Sequence, residues 1–215
     1  MSVWAIVVAA GSGHRFGAPK QFARLGGRLM VQWSVDAARG VADGVVLVIP
    51  DTPPEPGSAG DGSYGADVVV PGGDTRAASV RAGLAAVPAS AEVIVVHDGA
   101  RPLASPALFR SVVDAVTGGA EAAVPAMAVA DTLKRVEGDA VVATVARDGI
   151  VAVQTPQAFR ADLLRRAHAR DPDATDDAAL VEALGATVRV VPGDPRNLKV
   201  TTAADLEIAQ ALAAP

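Results

Sequence analysis

Residues 7–21 read VVAAGSGHRFGAPKQ, and the loop in this segment combines glycines with the cationic side chains of Arg15 and Lys20. The first thirty-five residues contain no aspartate or glutamate. Glycine lets backbone N–H groups approach phosphate oxygens closely, and Arg and Lys add charge-assisted hydrogen bonds to such oxygens. The pattern predicts a loop that binds an anionic ligand. The alternative is a surface turn with two solvated cations.

Two common phosphate-binding loops do not match this segment. In the dinucleotide-binding pattern G-x-G-x-x-G the third glycine would stand at Phe16, and Gly17 comes one place late. The ATPase pattern G-x-x-x-x-G-K-[ST] occurs nowhere in the chain. Both a nicotinamide-dependent oxidoreductase and a P-loop ATPase are therefore disfavoured.

The composition limits the remaining classes. The chain has 215 residues, half of them hydrophobic, with a net charge of −5, which allows one domain with a sizeable core and argues against non-specific binding of nucleic acid. It has no cysteine, and its three histidines do not have zinc-site spacing. We find no apolar run long enough to span a bilayer and no signal-peptide pattern. We expect a cytoplasmic protein that binds neither membrane nor nucleic acid.

Short Val- and Ala-rich segments alternate with helical patterns, which predicts an α/β fold with a mostly parallel sheet covered on both faces. The predicted strands cover residues 4–9, 45–49, 66–70, 93–96, 122–126 and 188–191. The predicted helices include one with Met30, Trp33 and Ala37 on one face, one capped by Asp74, one opened by Ser105 and Pro106, two over 160–169 and 176–184, and a last one capped by Thr202.

Two segments interrupt this alternation. Residues 50–65 are rich in Pro, Gly, Ser and Asp, which predicts a long surface loop or a short disordered excursion. Residues 132–155 predict an arm of strands with hairpin turns at Glu137-Gly138-Asp139 and Asp148-Gly149. Such an arm cannot bury both faces alone, so we expect it to pack against a second subunit.

Three polar clusters follow predicted strands, where ligands of parallel sheets bind. Each cluster also has a purely structural interpretation. GGDTR at 72–76 with Ser79 could contact a base or could be a glycine turn with an aspartate cap. In HDGARP at 97–102, Asp98 could hold magnesium or a ribose hydroxyl, or could pair with Arg101. In NLKVT at 197–201, Lys199 could bind phosphate or be solvated.

Taken together, the motifs resemble a known family. Their order is A-A-G-x-G-x-R-x(4)-K-Q, G-G-D-x-R-x-x-S-V, H-D-x-A-R-P, D-T-x-K-R, T-P-Q, T-D-D-A and N-L-K-V-T-x-x-x-D-L. This order is similar to that of the 2-C-methyl-D-erythritol 4-phosphate cytidylyltransferases, and it covers residues 7–206. The chain departs from the family at Gly99, where alanine is more common, and in the 50–65 loop.

The resemblance implies a three-layer Rossmann-like nucleotidyltransferase fold of one domain, with a β-hairpin arm inserted at about 131–155. It implies transfer of CMP from CTP to 2-C-methyl-D-erythritol 4-phosphate, with release of pyrophosphate and with Mg²⁺ as cofactor. It also implies a homodimer joined through the arm, in which the arm residues complete the partner's active site.

The resemblance further implies three groups of site residues. The catalytic group is Arg15, Lys20, Arg147 and Lys199. The nucleotide-binding group is Ala9, Ala10, Gly11, Gly13, Gly73, Asp74, Ser79, Asp98 and Gly99, and Asp98 is also the metal ligand. The group that binds the methylerythritol phosphate is Thr132, Arg147, Thr175 and Lys199.

Two rival functions stay open on the sequence. One is a cytidylyltransferase of the same fold that acts on ribitol 5-phosphate or a related sugar phosphate. The other is a nucleotide-binding regulatory module without turnover. Arg15, Lys20, Asp98 and Lys199 are all present, which argues against the second, because binding alone does not require every charged group around a reacting phosphorus.

Overall fold

The computed structural model describes residues 1–11, 20–52, 62–169 and 176–213. Gly13, Arg15, Thr175 and most of the 50–65 loop lie outside the described residues. In the described part of the chain, no helix has both the length and the apolar character that crossing a membrane requires.

Strands and helices alternate along much of the chain, as the sequence patterns predict. The strands are β1 (Val3–Val8), β2 (Arg24–Leu25), β3 (Arg28–Leu29), β4 (Gly44–Ile49), β5 (Val68–Pro71), β6 (Val93–Asp98), β7 (Ala122–Ala128), β8 (Leu133–Glu137), β9 (Ala140–Val145), β10 (Val151–Val153), β11 (Gln157–Arg160) and β12 (Val188–Pro192). The helices are α1 (Met30–Arg39), α2 (Arg76–Ala86), α3 (Pro106–Thr117), α4 (Ala161–His168), α5 (Asp177–Glu182) and α6 (Ala203–Ala213), and a 3₁₀ turn covers Lys20–Phe22.

The central sheet is mostly parallel. Strands β6, β1, β4 and β5 are parallel neighbours in that order, and β12 pairs in parallel with β7. Strand β11 lies antiparallel between β6 and β7, and β10 also pairs antiparallel with β7. In the register of the sheet Val8 lies opposite both Val48 and Asp98. Strands β1, β4 and β6 therefore end at the same edge, which is where a ligand is expected.

Helices cover both faces of this sheet and make three layers. On one face, α1 and α3 bury Val35 and Phe109 against the sheet. On the other face, α2 and α4 bury Val80 and Leu164. Helix α2 comes so close that a Cβ on Gly83 would stand 2.5 Å from Ile6 Cγ2, so only glycine fits there. The prediction of an α/β fold with a mostly parallel sheet is confirmed.

The predicted helix caps are confirmed at α3 and α6. Ser105 caps α3, and Thr202 and Asp205 bond each other's backbone N–H at the start of α6. Asp176 caps α5, although the sequence pattern predicted only that a helix begins there. The prediction that Asp74 caps α2 was wrong. The helix begins at Arg76, so the cap falls on Thr75, whose Oγ1 accepts a hydrogen bond from Ala78 N at 3.0 Å.

The arm contains one hairpin, not two. Strands β8 and β9 pair around the turn at Gly138, as predicted. A turn also forms at Asp148-Gly149, where Ile150 N donates to Arg147 O. The following strand β10 returns to β7, however, so this second turn was wrongly predicted as a hairpin. Strand β11 was missed, since its four residues show no alternation and run directly into α4.

His97 is a core residue of β6. It has no exposed surface, and its ring lies 4.8 Å from that of Phe109. Nδ1 lies 3.2 Å from Thr155 Oγ1, and Nε2 lies 3.1 Å from the Arg101 carbonyl oxygen. Burial lowers the pKa of His97 from 6.5 to about 4, against an opposing effect of Asp98. His97 is therefore neutral in the folded protein near neutral pH.

We expect His97 to make folding stability fall as the pH drops from 6.5 to about 4, since only the unfolded chain binds a proton there. The slope is at most about 1.4 kcal/mol per pH unit for one group. His97→Gln, which keeps a donor for the Arg101 carbonyl, should flatten this part of the stability profile in urea denaturation at several pH values. An unchanged slope in the variant would show that other groups cause it.

Candidate active site

A cavity of about 570 Å³ opens at the carboxyl ends of β1, β5 and β6. Its volume is in the range typical of small-molecule sites. The described residues that line it are Val8, Ala9, Ala10, Gly11, Lys20, Gln21, Gly73, Asp74, Thr75, Arg76, Ser79, Asp98, Ala100 and Lys199. The cavity thus collects residues from the glycine-rich loop and from all three polar clusters.

Lys20 enters the cavity on the 3₁₀ turn that follows the glycine-rich loop. Ala9, Ala10 and Gly11 line the same cavity directly after β1. The described parts of the loop therefore place backbone groups and a lysine around one space, as the sequence predicts. Arg15 and Gly13, predicted for the same place, are outside the described residues.

Asp98 stands between two cations at the end of β6. Its Oδ2 accepts a hydrogen bond from Lys199 Nζ at 2.6 Å, and its Oδ1 accepts one from Arg76 Nε at 3.2 Å. The carboxylate is 12% exposed and Lys199 is 41% exposed. Burial alone would raise the pKa of Asp98, but Arg76 and Lys199 lower it well below its usual range. Asp98 is therefore ionised at any physiological pH.

Arg76 is the residue whose role the sequence did not reveal. It lies in the motif G-G-D-x-R, whereas the sequence motif around Asp98 suggests Arg101 as the ion-pair partner. Arg101 instead donates to the Asn197 carbonyl at 2.7 Å, so the interpretation of an Asp98–Arg101 pair was wrong. Arg76 also donates to the buried Asp177 at 2.8 Å, which ties Asp98 to α5.

The turn before α2 is shaped by glycine and Ser79. A Cβ on Gly73 would stand 2.5 Å from Ala78 Cβ. Ser79 is buried, and its Oγ accepts from Gly73 N at 3.2 Å and donates to Thr75 O at 3.0 Å. This side chain therefore holds the turn against the helix start, and Asp74 is exposed beside it. The cytosine-reading role of Gly73, Asp74 and Ser79 stays a prediction.

A buried polar network carries the segment that ends in Lys199. Asn197 has no exposed surface, and its Nδ2 donates to Thr155 O at 2.8 Å and lies 3.2 Å from Gln154 Oε1. Thr155 Oγ1 in turn accepts from Asp98 N at 3.0 Å. The T-P-Q and N-L-K motifs thus contact each other next to the end of β6. This contact places Lys199 close to Asp98.

A second cavity of about 220 Å³ adjoins the first and shares Arg76, Asp98 and Lys199 with it. Its other described lining residues are Arg101, Val153, Gln154, Thr155, Gln157 and Asp176. Asp176 follows Thr175, the predicted substrate contact that lies outside the described residues. Among the described residues, no group of three His, Asp or Glu side chains could hold a metal ion.

The structure does not bring three predicted residues to the described cavity walls. Thr132 and Arg147 lie on the arm, and Arg147 Nη1 donates to the Ala130 carbonyl. Neither lines the two cavities as described. Gly99 lies just behind the first cavity, where its N–H bonds Val8 O at 2.9 Å and a Cβ would stand 3.1 Å from Ala9 Cβ.

The chain is similar to known proteins over nearly its whole length. A family model for 2-C-methyl-D-erythritol 4-phosphate cytidylyltransferase matches residues 3–214. The protein of that name from Nocardia farcinica is 47% identical over 98% of this chain and 94% of its own. The one from Deinococcus radiodurans is 44% identical over 97% and 88%. The crystal structure of the Thermus thermophilus protein superposes with a TM-score of 0.81 at 39% identity, covering 99% of this chain and 98% of that one.

The match to the family model extends over nearly the whole chain, and the solved structure has a similar fold over 99% of it. The chain belongs to the 2-C-methyl-D-erythritol 4-phosphate cytidylyltransferase family.

Proposed function

We propose that this protein transfers CMP from CTP to 2-C-methyl-D-erythritol 4-phosphate, giving 4-diphosphocytidyl-2-C-methyl-D-erythritol and pyrophosphate. The observation that carries the proposal, beside family membership, is that Lys20, Lys199 and Asp98 all line one cavity, in which Lys199 bonds Asp98. These lysines are far apart in the sequence, and a site for two phosphorylated substrates needs cations from both sides.

The reaction is an in-line displacement at phosphorus. A phosphate oxygen of the methylerythritol phosphate attacks the α-phosphorus of CTP, and the bond from that phosphorus to the β-phosphate oxygen breaks. A phosphate monoester is mostly dianionic near neutral pH, so no side chain has to act as a general base. Both reactants are anions, so the protein must position them and stabilise the charge that accumulates between them.

Different residues stabilise the transition state and bind the two substrates. Lys20, with Arg15 from the same loop, stabilises the charge-rich phosphorus in the transition state, and a contribution of about 3 kcal/mol each is typical of such groups. The backbone N–H groups of Ala10 and Gly11 support the triphosphate, since that of Ala9 bonds Val48 O. Gly73, Asp74 and Ser79 contact cytosine from the start of α2. Lys199 lies where the two cavities join and contacts the phosphates of both substrates.

Asp98 fits a divalent cation only as part of a shared ligand set. Mg²⁺ prefers oxygen ligands and is often held by one carboxylate together with substrate phosphates. The described chain supplies Asp98 here and no cluster of three acidic or histidine ligands, so substrate phosphates and water would supply the other ligands. When bound, Mg²⁺ would neutralise charge on the leaving pyrophosphate. Lys199 holds Asp98 Oδ2, so metal binding at that oxygen requires the ammonium to move toward the phosphates.

The arm supports the proposal of a homodimer. Val136 and Val141 on the hairpin are 57% and 61% exposed, and a two-stranded ribbon is at best marginally stable by itself in water. In such a dimer, Thr132 and Arg147 of one subunit would reach the methylerythritol phosphate in the site of the other subunit. Thr175 would contact the same substrate.

That the chain forms a single domain and that its location is cytoplasmic also stay predictions.

The test of substrate and class is a magnesium-dependent assay of pyrophosphate release from CTP. Methylerythritol phosphate and ribitol 5-phosphate are offered side by side at equal concentration. We expect kcat/KM for methylerythritol phosphate to exceed that for ribitol 5-phosphate by at least about 100-fold, because the pocket's polar groups are matched to one sugar. The reverse preference would assign the rival substrate, and release with neither would support the regulatory module.

Lys20→Ala should lower kcat by at least about 100-fold while the far-UV spectrum and the unfolding midpoint stay close to those of the parent, because Lys20 acts on transition-state charge. The matched control is Arg166→Ala, which removes an exposed cation of α4 that pairs only loosely with Asp162 at 3.7 Å. Activity of Lys20→Ala within a few fold of the parent would remove Lys20 from its assigned role.

Arg147 should act across the dimer. Arg147→Ala and Lys20→Ala are each expected to be inactive alone, while their heterodimer has one site with both side chains intact. Random exchange at equal amounts should then restore about a quarter of the parent activity, since half of the dimers are mixed and each has one good site of two. Heterodimers purified by two affinity tags and found inactive would contradict this arrangement.

A further inference from the structure

The amide of Gln21 joins the two ends of the glycine-rich loop. Gln21 is 3% exposed, and its Nε2 donates to the carbonyl oxygens of Ala9 at 2.6 Å and Gly11 at 2.9 Å. Residues 12–19 lie between these two ends in the sequence. One side chain therefore fixes the strand end of the loop to the turn that carries Lys20.

The chemistry of the contact requires an amide. Both neighbouring atoms are carbonyl oxygens, which only accept hydrogen bonds, so the group between them must be the NH₂ and not the oxygen. A glutamate would place a carboxylate against two acceptors, and a methionine of similar length would place a thioether there. A methionine, or a glutamate in its ionised form, leaves both backbone carbonyls without the donor that they have now.

Both ends of this clamp are anchored to rigid elements. Ala9 N donates to Val48 O at 2.7 Å, which holds the strand end to β4. On the other side, Ala23 N donates to Lys20 O at 2.8 Å, and Met30 N at the start of α1 donates to Ala23 O at 2.9 Å. The Gln21 amide completes a path of hydrogen bonds from the sheet through the turn to α1.

We propose that Gln21 is a positioning residue for the transfer reaction. It sets the distance between Lys20 and the backbone of residues 9–11, along which the triphosphate lies in the proposed function, on which this inference rests. Because Lys20 contributes only when it meets the reacting phosphorus, a shift of about 1 Å at such a group is enough for a loss of about 100-fold.

The first test is Gln21→Met, with Gln210→Met on exposed α6 as the matched control. We expect kcat to fall about 10- to 100-fold in Gln21→Met, with KM for the methylerythritol phosphate within about threefold of the parent. The control should behave as the parent does. A variant that is less stable but keeps the parent kcat per folded molecule would assign Gln21 a purely structural role and overturn the proposal.

A double-mutant cycle separates positioning from an independent effect. If Gln21 acts through Lys20, then Gln21→Met added to Lys20→Ala should lower kcat by no more than about twofold further. A further loss as large as in the parent background would overturn the inference while leaving the proposed function intact. Full activity of Lys20→Ala by itself would instead overturn the role of Lys20.

Gln21→Glu gives a second readout that does not depend on the methionine variant folding well. The buried carboxyl faces two acceptors, so its pKa is raised, and its protonated form can donate one of the two hydrogen bonds. The ratio of variant to parent kcat should therefore rise from pH 8 to pH 6, while the ratio for Gln21→Met stays constant. A constant ratio for Gln21→Glu would contradict the requirement for a donor at this position.

Discussion

The Asp98 carboxylate is the group on which the rest of the site depends. A nearly buried negative charge is costly unless it is paired and hydrogen-bonded, and both of its oxygens bond to cations, Arg76 on one side and Lys199 on the other. Arg76 comes from α2, and Lys199 comes from the segment before α6. One charge at the end of β6 thus requires three distant parts of the chain to converge at the same edge of the sheet.

A second constraint explains how the C-terminal segment reaches that edge. Asn197 is fully buried, so its amide must find partners, and it finds them on the backbone of Thr155 and the side chain of Gln154. Arg101 closes the network through the Asn197 carbonyl. The NH₂ group of Asn197 is thus bonded to two acceptors, and such buried hydrogen bonds favour a single arrangement of the chain. Lys199 is therefore placed by contacts that are not themselves part of the reaction.

The layered fold could be predicted from the sequence because its strands are covered on both faces and its helices have local caps. Predictions from local sequence patterns were wrong where the packing of distant elements determines the cap, the ion-pair partner or the strand. Asp74 and Thr75 are both good capping residues, and only the actual start of α2 selects Thr75. Arg101 is close to Asp98 in the sequence, yet the packing of α2 against the sheet brings Arg76 instead. Strand β11 has no periodic pattern in its sequence, and its place in the sheet comes from antiparallel pairing with both β6 and β7.

The charge balance of the cavity explains why an acidic chain can bind two anions. The described lining contains Lys20, Arg76 and Lys199 but only two acids, Asp74 and Asp98, whereas the chain as a whole has a net charge of −5. A cleft of one sign between low-dielectric walls focuses its field on the ligand even when the outer surface has the opposite sign. Asp98 offsets part of this field through its pairs with Arg76 and Lys199, but the cations of the described lining still outnumber its acids. The glycine-rich loop adds to this balance, since the first thirty-five residues contain cations and no acid.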